Sequence, residues 1–131
     1  MRGIIFLGTG LLLLGSALAQ NNQPSHESYQ YDSGKQVTVR GVVQEVRNYQ
    51  CPVSGTVGTH ITVKQDIGSI EVHLAPANFL KQYDIVINKG DQVEIQGAKI
   101  QFEGKTALIA KVVAEDNVKF AFRDSRGKPL W

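Results

Sequence analysis

Cysteine is nearly missing: Cys51 is the single one in 131 residues, so no disulfide can form within the chain. A lone thiol in an oxidising compartment is buried, bridged to another molecule or engaged with a ligand. Tryptophan and methionine also occur once each. Neither charge sign prevails, with 14 basic residues against 12 acidic ones. That balance argues against nucleic acid or an anionic membrane as the partner. The chain carries no phosphate-binding glycine loop, no nucleophile elbow and no CxxC or HxxxH metal spacing. Ser54 lies in a glycine-bearing loop near His60 and Asp66 without the look of a catalytic triad, and Glu71, Glu94 and Glu103 show no acid–base pairing. The expectation is a chain that is not an enzyme.

Only the N-terminus has a long apolar run. Arg2 gives a positive start, residues 4–7 and 11–14 are apolar, and Ala17-Leu18-Ala19 is an A-x-A site. This layout predicts a secretory signal over residues 1–19, cleaved after Ala19, and a periplasmic or secreted protein. The run is short for a membrane span, and no cysteine at the cleavage site offers a lipid anchor. No span is expected after processing. Residues 20–35 are polar and lack a hydrophobic period, so they read as a flexible leader to a domain over 36–131.

From Gln36 the apolar residues alternate as in strands. Val37, Val39 and Val43 are odd-numbered but Val42 and Val46 even, which predicts a change of face and a bulge near Gly41. Residues 49–59 read as a loop. Residues 60–74 read as a hairpin with Ile61, Val63, Ile70, Val72 and Leu74 on one face. Pairing Ile61 with Leu74, Val63 with Val72 and Lys64 with Glu71 satisfies that face through a two-residue Ile67-Gly68 loop. Pro76 opens a two-turn helix bearing Phe79, Leu80 and Tyr83. Val93 and Ile95 alternate up to Gly97, and Ile100 and Phe102 resume on the other parity, which predicts a second bend. Thr106, Leu108, Ala110 and Val112 make a further strand, and Val118, Phe120 and Phe122 a last one. Phe120, Phe122 and Trp131 are expected to close one end of the core. This order predicts an all-β fold: a five-stranded OB-type barrel with a short helix between strands 3 and 4 and an extra C-terminal strand. Ring closure would remove the exposed edges of so small a sheet.

The stretches CPVSGTVGTHITVK, IEVHLAPANFL, KGDQVEIQGAKIQFEGKTALIAKVV and FAFRDSRGKPLW resemble a group of small exported bacterial OB-fold proteins. More distantly the chain is similar to the periplasmic bacterial OB-fold proteins. The resemblance spans nearly all of the chain after residue 19 and implies the barrel and a binding or stress-related role. It implies no catalytic residues.

In the hairpin register above, Thr62, Lys64, Glu71 and His73 point away from the core, and His60 shares their face opposite Ala75. The two histidines are then diagonal neighbours, about 7–8 Å apart at the backbone. Cys51 stands in the loop before them. Thiolate and imidazole suit zinc or copper, which makes Cys51, His60 and His73 candidate metal ligands. The competing reading is two solvated histidines and an incidental cysteine. Tyr49, Thr62, Lys64 and Glu71 are the candidate ligand surface beside them. Tyr49 with Arg40 and Arg47 forms a small patch, but the outward hairpin face has no aromatic for base stacking. The expected function is an exported, non-enzymatic module that binds a small ligand, a metal ion or an envelope protein partner. The alternative is an accessory or scaffold subunit of an envelope or redox assembly.

Overall fold

The computed structural model describes residues 30–50 and 56–131. The expected signal segment, residues 20–29 of the expected leader and Cys51 lie outside the described residues. Tyr31 to Lys35, the end of that leader, sit on the domain: a 3-10 turn (Ser33–Lys35) is capped by Asp32, whose carboxylate accepts from the Gly34 N–H. Then follow β1 (Gln36–Gln50), β2 (Val57–Lys64), β3 (Ser69–Pro76), α1 (Ala77–Gln82), β4 (Gln92–Phe102), β5 (Lys105–Glu115) and β6 (Val118–Ala121). The strands lie in the order β3-β2-β1-β4-β5-β6, and β3 also pairs in parallel with β5. That last pairing closes five strands into a ring, with α1 between the third and fourth and β6 added onto β5. The fold is the expected all-β barrel of OB type.

β1 is long because it serves two neighbours. Residues 36–42 pair with β4, and residues 42–50 with β2. Val39 and Val43 point into the core through Gly41 without a change of face. The change comes three residues later than the alternation suggests, where Gln44 is the extra residue between the Val43–Val63 and Glu45–Thr62 pairs. Gly41 has a different task. A Cβ there would run into the Lys64 carbonyl of β2, so the glycine permits the close approach at which β1 passes from one partner to the other.

The β2–β3 hairpin differs from the expected register by two residues. Ile61 pairs with Val72, Val63 with Ile70, Lys64 with Ser69 and Thr62 with Glu71. The turn takes four residues, Gln65 to Gly68, closed by Gln65 N–H donating to the Gly68 carbonyl (2.9 Å) with Gly68 at φ +75°. An even shift keeps every side chain on its face, so Ile61, Val63, Val72 and Leu74 are buried as expected. A bulge takes back one of the two residues: Leu74 is the extra residue between the Thr59–Ala75 and His60–His73 pairs.

The main core joins these residues to Ile95, Leu108, Ala110, Val113 and Phe122, with Phe79 and Leu80 of α1 over one end. Each fully buried aliphatic or phenyl side chain contributes about 1.5–3 kcal/mol. Phe122 and Phe79 close that end. Trp131, expected there too, packs edge-on against Phe79 (5.7 Å) but leaves 46% of its surface exposed, with the Arg123 guanidinium 5.1 Å over its ring, and Phe120 is half-buried against the same core. A second, smaller cluster of Ile100, Phe102, Ala107 and Ile109 forms on the other side of the sheet, with Tyr31 and Tyr49 packed on it. It is what lies behind the parity change after Gly97.

Candidate metal centre

The outward face of β1, β2 and β3 carries Glu45, Arg47 and Tyr49, then His60 and Thr62, then Glu71 and His73. Two irregularities set this row. The Gln44 bulge turns Arg47 and Tyr49 onto the histidine face, and the four-residue turn, by shifting the hairpin register by two, places His73 directly opposite His60 instead of diagonal to it. The imidazoles therefore stack, with centroids 3.8 Å apart and 26° between planes.

This face is outward from the barrel but is not solvated. The Tyr49 ring stands edge-on to His60 at 4.4 Å, and Phe102 stands edge-on to His73 at 4.5 Å. His60 is 4% exposed, and the His73 side chain 15%. Phe102 reaches the histidines because it belongs to the outer cluster, which Ile109 joins as the β5 neighbour of His73. The reading of two solvated histidines is thereby excluded.

Glu71 organises the pair. His60 Nδ1–H donates to Glu71 Oε1 at 2.8 Å, and His73 Nε2 lies 3.9 Å from the same oxygen. Arg47 Nη2 is 3.6 Å from it, and the Arg47 Nε is also 3.5 Å from Glu45. His73 Nε2 is buried and, among the described residues, has no hydrogen-bond partner. Burial holds His60 below the ordinary histidine range, although the Glu71 carboxylate opposes the shift. Burial, reinforced by His60, pushes His73 down to about 3. Both rings are therefore neutral at pH 7, the state that coordinates metals.

Ligand atoms of His60, Glu71 and His73 all lie within 4.8 Å of one another. Bonds of about 2.0–2.2 Å to zinc require donors no more than about 4.4 Å apart, so a small inward adjustment lets one ion touch all three. Two imidazoles and a carboxylate fit zinc, and imidazole also suits copper.

Of the residues singled out from sequence, the structure brings His60 and His73 together and adds Glu71, a ligand-surface candidate, as a potential third ligand. Tyr49 packs on the site. Thr62 lines the cleft beside it. Lys64 is exposed at the end of β2, paired across to Ser69, and its expected pairing with Glu71 does not form. Cys51 lies outside the described residues. Arg47 had been read as a patch with Arg40 and Tyr49, but it meets Glu71 and Glu45, while Arg40 pairs with Glu94 (2.8 Å). Phe102 was missed, and the parity change past Gly97 was its signal.

Among the described residues no helix is long and apolar enough to cross a membrane. No curated protein matches the chain. It is similar in structure to a chain of the Stn1–Ten1 complex of S. pombe, with TM-score 0.49 and 17% identity over 61% of this chain and 57% of that one. A mitochondrial single-stranded DNA-binding protein of S. cerevisiae gives TM-score 0.49 and 8% identity, over 66% of this chain and 94% of that one. A replication protein A heterotrimer bound to single-stranded DNA gives 0.44 and 16%, over 70% and 61%. These likenesses identify no ligand for this chain. The sequence profile is more informative: residues 35–120 match that of the MamS/MamX magnetosome protein family, and the chain belongs to this family.

Proposed function

We propose that this protein is an exported, non-enzymatic OB-fold module that binds one transition-metal ion, zinc or copper, through His60, Glu71 and His73. The observation that carries the reading is His73 Nε2, a buried nitrogen without a hydrogen-bond partner among the described residues, 3.9 Å from a carboxylate that another buried imidazole already touches. An orphaned buried polar group costs about 1–3 kcal/mol, and a bonded ion would recover that cost. Aromatic walls from Tyr49 and Phe102 keep the imidazoles neutral and oriented, as ligands need. Export rests on the signal pattern of residues 1–19.

Native mass spectrometry of the protein recovered from the exported fraction tests both parts. The expected chain begins at Gln20 and carries one metal ion after brief exchange into metal-free buffer. His60→Ala and His73→Ala should each lower metal affinity at least tenfold. A chain retaining residues 1–19, or wild type and variants binding metal equally weakly, would overturn the corresponding part.

A further inference from the structure

Arg47 and Glu71 belong to two places at once. Besides the histidine site, both line a cleft of about 530 Å3 together with Thr62, Ser69, Lys105 and Thr106. A cleft of that size takes a small molecule. Its lining carries two cations, Arg47 and Lys105, and one carboxylate, Glu71. Thr106 Oγ1 accepts from the Gln101 amide at 3.2 Å, which leaves its own O–H free to donate. Ser69 donates its hydroxyl to Gln44 at 2.6 Å.

Three protein ligands leave at least one position open on a four-coordinate ion, and more on a larger coordination sphere. Glu71 lines the cleft as well as touching His60, so the carboxylate that would hold the ion is shared between the histidine site and the cleft. Once an ion holds Glu71, the one carboxylate of the described lining is neutralised and the ion's remaining positive charge is added. Arg47, released from Glu71 while its Nε stays 3.5 Å from Glu45, can then turn its terminal Nη groups to a carboxylate or phosphate.

Resting on the metal reading above, we propose that the site binds its ion jointly with a small oxyanion, a carboxylate or phosphate. The anion fills the open coordination position and is held from the cleft by Arg47 and Lys105. Anion and ion therefore raise one another's affinity, as linkage requires. Neither cation is a metal ligand in this arrangement. Both side chains reach solvent, so replacing them leaves the core untouched.

Cobalt(II) titration of chelator-treated protein, followed by its visible absorption, separates the two claims. It is run in plain buffer, with acetate and with inorganic phosphate. Wild type is expected to bind cobalt at least about fivefold more tightly with one of the anions, the lower end of coupling between sites. The absorption bands should shift as the anion enters the coordination sphere. In Arg47→Gln and Lys105→Gln, and in the double variant, the ratio of affinities with and without anion should fall towards one. Cobalt binding by wild type that neither anion alters overturns the joint site while leaving the metal reading standing. An anion effect undiminished in the double variant also overturns it. No cobalt binding at all overturns both. The acetate and phosphate arms show which oxyanion the cleft prefers.

Discussion

His73 carries the sharpest physical conflict in the barrel, because a titratable ring is mostly buried with its Nε2 unmatched. The conflict has a direct consequence for metal-free protein. In the unfolded chain His73 takes up a proton near pH 6.5, whereas in the folded chain it resists until about pH 3. Between those values the unfolded state binds the extra proton. Its contribution to stability is therefore complete above about pH 6.5 and is lost progressively as the pH falls towards 3. Between pH 7 and pH 5 the loss should be about 2 kcal/mol from this residue. Urea denaturation of chelator-treated wild type and His73→Leu at both pH values measures it. The variant should show a shallower dependence by about that amount, and equal losses in both proteins would count against the burial of His73. Glu71 matters in another way. It accepts from His60 and lies 3.6 Å from Arg47, so it links the buried pair to the cleft.

The strands show which features a sequence displays and which it conceals. Parity is robust: Ile61, Val63, Val72 and Leu74 turn inward whether or not the register slips by two, so the faces were legible while the partners were not. The bulges at Gln44 and Leu74 were hidden because neither residue type announces one. A bulge sits where a strand changes neighbours or absorbs a shift, and that is settled by tertiary pairing. The Gln44 bulge brings Arg47 and Tyr49 onto His60, and the two-residue register shift set at the turn brings His73 there. The candidate ligand residues were therefore visible as a hairpin face, but their convergence and burial were not. The glycines were seen as bends, and the structure gives them a more specific meaning. A Cβ at Gly41 meets the Lys64 carbonyl, and one at Gly97 meets the Ile109 carbonyl at 2.5 Å. Both contacts are with backbone, which cannot rotate away. Gly41→Val and Gly97→Val should each cost about 1–3 kcal/mol in chemical denaturation. Unchanged midpoints would show that the strands approach one another less closely than described.

At the scale of the whole molecule, the barrel separates stability from binding. The main core fills the interior with aliphatic residues and Phe122, while the outer cluster of Ile100, Phe102, Ala107 and Ile109 roofs the histidines from outside. Closure through the β3–β5 pairing places Ile109 beside His73, so the roof exists only because the ring is closed. A site built this way is held by rigid strands, which is the support that metal ligands require. The central claim is that these strands hold one ion between His60, Glu71 and His73. Its most direct test is an anomalous-scattering map from crystals of the protein grown with zinc, collected at the zinc edge. We expect one strong peak, bonded to both imidazoles and the Glu71 carboxylate at about 2.0–2.2 Å. A map with no peak there, and His60 still hydrogen-bonded to Glu71, would contradict the account.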